Sequence, residues 1–229
     1  MNNILNKIID QGNKHTIDLN IINEIEKHIE NHIKCDNNLN YELICRFILL
    51  EHNVPLCDDE KCISILKYLL EKYIIDNNKY NAYFTILLSW IEDGFSKRSD
   101  FTRKKLDNIL LNSNDSCIKS MIYYLKALAY NYLLDKDSED LIELLKLSIK
   151  ADKNATNSYL LLSNKYKKLD NICLSKKYLE YGLKSIKKVV SLDDLNKIDM
   201  TDIQFFLNSE IKGNIIDQNS YKEIYITNI

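Results

Sequence analysis

The sequence contains an internal repeat with a period of 34 residues. The repeated positions of the first copy are Leu125, Leu128, Ala129, Tyr132, Leu141, Leu145 and Ser148. Those of the second copy are Tyr159, Leu162, Ser163, Tyr166, Ser175, Leu179 and Gly182. In both copies a small residue follows the inner leucine, a tyrosine comes three residues later, and a small residue closes the second half. Two antiparallel helices approach closely only where a small side chain on one admits a large side chain from the other. The repeat therefore predicts stacked helical hairpins.

The spacing of apolar residues predicts further helices along most of the chain. Apolar residues recur at steps of three and four residues in segments of approximately 2–10, 19–35, 39–53, 60–76, 79–93, 100–112, 115–134, 138–151, 155–168 and 171–189. The breaks between these segments are short and polar, with Asp, Asn or Ser placed to cap the next helix. Four Gly and one Pro residues are too few for a fold rich in β-turns. We therefore predict an all-α protein of about ten helices, whose short connections make neighbouring helices antiparallel.

The helical pattern weakens after Lys188. The last nine residues, "YKEIYITNI", are β-branched and aromatic and predict a short extended segment. We expect one helical-repeat domain over residues 1–190 and a C-terminal extension over 191–229 that packs on the last repeat.

The order of residues in the two copies resembles the tetratricopeptide repeat. "YLLLSNKYKKLDNICLSKKYLEYGL" follows that family's order of aromatic, Leu, small, Tyr, small, large and small residues. "LKALAYNYLLDKDSEDLIELLKLSIKADKNA" follows it as well, including the helix-ending "KAD". The resemblance covers residues 122–189 and implies a right-handed solenoid of helical hairpins.

Some positions depart from the family pattern. Lys136 and Asp170 stand in place of the turn glycine, and Lys153 and Lys187 in place of the final proline. Leu141 occupies a position where a small residue is usual. The helix pairs upstream of the two copies lack the motif and look like degenerate units.

The segment "KHIENHIKC" is the main candidate for a metal site, with Cys45, His52, Cys57 and Cys62 as possible further donors. On a helix its spacing places His28, His32 and Cys35 on one side. A zinc site needs three or four ligands, yet the chain has no C-x2-C pair, and the acid in "HIENH" does not stand where H-E-x-x-H requires it. The apolar stripe centred on Ile25 also runs beside these residues. We interpret them as flanking a packed stripe, with a metal-binding protein as a minor alternative.

No catalytic residue or cofactor is expected. The sequence lacks GxGxxG, GxxxxGK[ST] and GxSxG, the usual nucleotide-binding and hydrolase signatures. No pattern marks any of the six cysteines as an activated nucleophile. Paired acids such as those in "CDDEK" stand at helix starts, where the positive end of the helix dipole stabilises carboxylates. We predict that the chain is not an enzyme.

Charge and hydropathy also restrict the class of partner. The formal net charge is −2 and no basic stripe is present, which argues against nucleic-acid binding. No window approaches roughly 18 uninterrupted apolar residues, so no membrane span is expected. The first residues lack an apolar core and include Asp10, unlike a signal peptide. Six cysteines without a secretion signal are typical of a reducing compartment. We predict a cytoplasmic protein whose partner is another protein.

The resemblance implies where that partner would bind. Helical solenoids present a concave groove lined by the first helix of each pair, here segments 115–134 and 155–168. The side chains off the packing stripe in these segments are Lys126, Tyr130, Leu133, Leu160, Asn164 and Lys167. This mixture suits a groove that binds an extended or acidic chain.

Without targeting or catalytic motifs, the chain looks like a bacterial immunity protein, which neutralises a cognate toxin by covering it. The acidic residues expected to face a basic nuclease toxin, and to steer its association, are Asp58, Asp59, Glu60, Asp135, Asp137, Glu139 and Asp140. The alternative is a peptide-binding regulator or adaptor of the tetratricopeptide type.

Overall fold

A computed structural model describes residues 2–12, 18–35, 40–53, 59–72, 78–93, 99–133 and 139–185. These residues form ten α-helices and contain no strand. The helices are α1 (Asn2–Gly12), α2 (Leu19–Lys34), α3 (Tyr41–Asn53), α4 (Asp59–Lys72), α5 (Asn78–Asp93), α6 (Asp100–Asn112), α7 (Ser116–Leu133), α8 (Glu139–Ala151), α9 (Thr156–Lys168) and α10 (Ile172–Ser185). Each predicted segment overlaps one of them, so the all-α prediction is confirmed.

Polar side chains begin several of these helices, as the breaks in the sequence predict. Asp18 Oδ1 accepts a hydrogen bond from the backbone N–H of Asn20 at 2.9 Å, at the start of α2. Asp115 Oδ1 accepts from the N–H of Cys117 at 2.8 Å, at the start of α7. These bonds satisfy backbone donors that a helix leaves unpaired in its first turn. Among the helices whose N-cap residue the structure describes, α9 is the exception, because Ala155 stands at its N-cap and makes no side-chain cap bond.

The described residues fall into two compact units, with the division inside α5 between Phe84 and Thr85. Helices α1–α4 and the start of α5 belong to the first unit, and the rest of α5 with α6–α10 belongs to the second. The single domain expected over residues 1–190 stays a prediction. The extension over 191–229, with its extended "YKEIYITNI" segment, lies outside the described residues.

The first unit is built on the apolar stripe of α2. Ile22, Ile25, Ile29 and Ile33 are buried, and α1 packs on both α2 and α3. An ion pair joins α4 to α2, because Lys61 Nζ lies 2.9 Å from Glu30 Oε1. The burial pattern of α2 confirms the stripe predicted around Ile25.

In the second unit, each helix from α7 to α10 packs on its neighbour in the chain. The centre of this packing is a cluster of buried side chains from α7, α8 and α9, formed by Ala127, Leu141, Leu145 and Leu162. The repeated positions that are buried are Leu125, Leu128, Leu141, Leu145, Ser148, Tyr159, Leu162, Ser163, Ser175, Leu179 and Gly182. Ala129 and Tyr166 are half-buried, and the side chain of Tyr132 lies outside the described residues. The sequence repeat therefore corresponds to the residues that pack these helices together.

Small hydroxyl residues form hydrogen bonds between these helices. Ser148 of α8 lies 3.0 Å from the Ser120 hydroxyl of α7 and 2.7 Å from the Ser158 hydroxyl of α9. Between α9 and α10, the Ser163 hydroxyl donates to the carbonyl of Ser175 at 2.8 Å. All of these serines are buried. Each small side chain lets the helices approach and gives a buried hydroxyl the hydrogen bond that it needs.

Candidate functional site

Two members of the predicted groove take part in packing or pairing. Lys126 of α7 is half-buried and forms an ion pair with Asp107 of α6. Leu160 of α9 is buried, with 6% of its surface exposed, so its side chain belongs to the helix packing and not to an open surface. The expectation that Leu160 faces a groove is therefore corrected. Leu160 lies off the repeat stripe and was therefore expected to be exposed, but α9 has buried residues on more than one of its sides.

The other four members divide into two pairs. Asn164 is exposed and Lys167 is half-exposed on α9, which leaves both side chains available to a partner. Tyr130 and Leu133 lie on α7, but their side chains are outside the described residues. A groove built from these residues stays a prediction.

The acidic residues proposed to face a partner are described in part. Glu60 and Asp140 are exposed, and Asp59 is half-buried in the first turn of α4. Glu139 begins α8, with its side chain outside the described residues. The remaining members, Asp58, Asp135 and Asp137, lie outside them altogether. An acidic partner-facing surface stays a prediction.

The histidines of α2 border its buried stripe. The rings of His28 and His32 are stacked, with centroids 6.2 Å apart and planes 11° from parallel. His32 Nε2 accepts a hydrogen bond from the backbone N–H of Asn40 at 3.4 Å, and Cys35 is exposed at the end of the helix. Across the described ranges, no three His, Cys, Asp or Glu side chains come together as a ligand set for a metal ion.

A surface that was not predicted from the sequence lies across α9 and α10. We call it the tyrosine face, and it consists of Tyr159, Tyr166, Tyr178 and Tyr181. The rings of Tyr166 and Tyr178 stack with centroids 5.4 Å apart and planes only 5° from parallel. Tyr181 meets both Tyr178 and Tyr159 edge-on, at 6.3 Å and 6.1 Å. The four rings thus form one continuous series from helix to helix, with geometries that aromatic pairs prefer.

Exposure changes along the tyrosine face. Tyr159 is buried, Tyr166 and Tyr178 are half-buried, and Tyr181 is 41% exposed. Burial raises the pKa of Tyr178 above its ordinary value, and the neighbouring Tyr166 phenol raises it further. Burial likewise raises the pKa of Tyr159. A tyrosine at its ordinary pKa is already protonated at neutral pH, so both phenols carry an O–H that can donate a hydrogen bond, and the raised pKa values extend this state to higher pH.

Lysines border the tyrosine face. Lys177 of α10 places its Nζ 5.8 Å from the centroid of the Tyr181 ring, within the range of a cation–π contact. Lys146 of α8 donates to Glu143 Oε1 at 2.7 Å, and this hydrogen bond raises the pKa of the Lys146 ammonium. The phenols of Tyr166 and Tyr178, when they ionise at high pH, raise the pKa of the same ammonium further. The face therefore combines aromatic rings with two lysines, of which Lys146 is ion-paired with Glu143 and Lys177 lies over the Tyr181 ring.

The sequence carries a signal for this surface that the prediction did not use. Tyr178 and Tyr181 are three residues apart, and Tyr159 and Tyr166 are seven apart, so each pair lies on one side of its helix. The repeat predicted that Tyr159 and Tyr166 pack between helices, and it gave no indication that their rings contact tyrosines of α10. Which side of α10 meets α9 depends on tertiary contacts that spacing alone does not specify.

No family model, no curated protein and no solved structure matches the chain. Among the helices that the structure describes, none combines the length and apolar character needed to cross a membrane.

Proposed function

We propose that the chain is a non-catalytic protein-binding module of the cytoplasm, and specifically an immunity protein that binds and neutralises a cognate bacterial toxin. The observation that carries this proposal is the tyrosine face, a half-exposed aromatic surface held on two packed helices. Tyrosines are enriched in protein interfaces because one ring supplies a large contact area and a polar tip at low entropic cost.

The packing of α7–α10 supports the same proposal. Successive helices that pack on their chain neighbours, with small residues at the contacts, offer a rigid frame for surface side chains. A preorganised surface binds with a smaller loss of conformational freedom. The resemblance of residues 122–189 to the tetratricopeptide repeat, a protein-binding family, is in accord with this frame.

The second candidate is a peptide-binding regulator or adaptor. It is favoured by the basic border of the tyrosine face, since Lys146 and Lys177 suit an acidic peptide better than a basic nuclease. Both candidates predict a stable protein complex and no reaction.

The neighbouring reading frame provides the test of the immunity role. We expect its product to be toxic when expressed alone, to be tolerated when this chain is co-expressed, and to elute with the chain as one complex in size-exclusion chromatography. A product that remains toxic and elutes separately would contradict the immunity role. Stoichiometric zinc in the purified chain, lost in a His28→Ala and His32→Ala double variant, would instead favour the metal-binding alternative.

A further inference from the structure

We propose that the tyrosine face, with Lys146 and Lys177 at its border, is a docking site for a polypeptide segment rich in Asp and Glu side chains. This inference depends on the protein-binding function proposed above and adds the surface and the chemistry of the partner.

The stacked pair at the centre of the face supplies the apolar platform. The rings of Tyr166 and Tyr178 are stacked with their planes nearly parallel, at an angle of 5°, and both side chains pack on the buried cluster formed by α7, α8 and α9. Their inner surfaces are therefore fixed by the core, while part of each ring stays accessible. The methylene groups of a Glu side chain can lie against such a ring while its carboxylate reaches the border.

The phenol groups supply hydrogen-bond donors. Like any tyrosine, Tyr178 is protonated at neutral pH, and burial and the neighbouring Tyr166 raise its pKa further. Within the described part of the chain, no hydrogen bond joins the hydroxyls of Tyr166, Tyr178 or Tyr181 to another protein group. A carboxylate accepts hydrogen bonds from O–H donors more strongly than a neutral oxygen does.

Charge determines the choice of partner. Residues 152–185 contain seven lysines, of which Lys165 is buried, against three acidic residues, Asp152, Asp170 and Glu180, although the whole chain has a formal charge of −2. Lys177 lies over the exposed Tyr181 ring, so part of this positive charge is located at the face itself. Basic surfaces beside exposed aromatic rings are complementary to acidic polypeptide.

A nucleic acid fits the face less well than an acidic polypeptide. Phosphate backbones are bound by neutralising many successive charges with Lys or Arg. Here acids stand among the lysines, with Glu143 beside Lys146 and Glu180 within α10, so the positive charges are not continuous. In an acidic polypeptide each carboxylate is on its own flexible side chain and can turn away from these acids. The phosphates of a nucleic acid are evenly spaced along its backbone, so some of them would be repelled by these acids.

The test uses the full chain and a fluorescein-labelled oligoglutamate peptide, with binding followed by fluorescence anisotropy at physiological salt. Lys177→Glu is expected to weaken binding about fivefold, since reversing one charge at a partly exposed pair changes the free energy by about 1 kcal/mol. Tyr181→Phe, which keeps the ring and removes the hydroxyl, is expected to weaken it about threefold. Circular dichroism of each variant establishes that it is folded.

Lys176→Glu is the matched control for charge. Lys176 is exposed on the same helix, but adjacent residues on a helix point in different directions, so its replacement should change the affinity less than about twofold at a screening length of roughly 8 Å. Equal losses from Lys176→Glu and Lys177→Glu would overturn the proposal. So would tighter binding of a single-stranded oligonucleotide than of oligoglutamate.

The same variants separate this inference from the proposed function. If the neighbouring-gene product binds the wild-type chain and is unaffected by Lys177→Glu and Tyr181→Phe, the docking surface is wrong and the binding function stands. If that product does not bind the wild-type chain while oligoglutamate binds through Lys177, the immunity role fails and the docking surface stands.

Discussion

Replacing Ser148 with leucine is expected to destabilise the second unit by about 3 kcal/mol. Ser148 is fully buried and its hydroxyl reaches Ser120 of α7 and Ser158 of α9. A leucine side chain has no space where three helices meet, and it removes a hydrogen-bond partner from both neighbouring serines. Urea unfolding monitored by far-UV circular dichroism measures the loss.

Two comparison variants separate the causes of this loss. Ser148→Ala keeps the side chain small and is expected to cost only about 1 kcal/mol, for the lost hydrogen bonds. Ser116→Leu makes the same replacement at an exposed position of α7 and should change stability by less than about 0.5 kcal/mol. If Ser148→Leu were as stable as Ser148→Ala, the close helix contact described at this serine would be contradicted.

Replacing Leu162 with alanine is expected to cost about 3 kcal/mol as well, through a different mechanism. Leu162 is completely buried and contributes to the cluster with Ala127, Leu141 and Leu145. Removing its branched end leaves a cavity at the junction of α7, α8 and α9, and rigid helices can close such a cavity only in part. The same unfolding measurement applies.

Leu111 provides the matched control for this variant. It lies on α6 with 82% of its surface exposed, so Leu111→Ala removes the same atoms without opening a cavity and should change stability by less than about 0.5 kcal/mol. Similar losses in the two variants would show that the buried cluster does not determine the stability of this unit.

The helices could be predicted from the sequence because their signals are local. Four of the isoleucines of α2 recur at three- and four-residue steps from Ile22 to Ile33, and all four are buried. Side chains such as Asp18 and Asp115 bond to backbone N–H groups two residues along the chain. Neither signal depends on distant residues, so both the class of fold and most helix limits follow from spacing.

The candidate site depended on contacts that spacing does not contain. Leu160 was expected on an open surface because it lies off the repeat stripe, yet it is buried because α9 meets neighbours on more than one side. Lys126 was expected to face a partner, but it pairs with Asp107, a residue nineteen positions earlier in the chain. The tyrosine face likewise exists only because the folded α9 and α10 bring their aromatic sides together.

Nuclear magnetic resonance of selectively labelled tyrosine rings tests the central claim most directly, since it reports which surface a partner contacts. The full chain is titrated with the oligoglutamate peptide while the rings of Tyr166, Tyr178 and Tyr181 are followed beside that of Tyr68, which is 37% exposed on α4. We predict progressive shifts of the first three resonances and no change at Tyr68. Equal shifts at all four rings, or a shift confined to Tyr68, would contradict the assignment of partner binding to the tyrosine face.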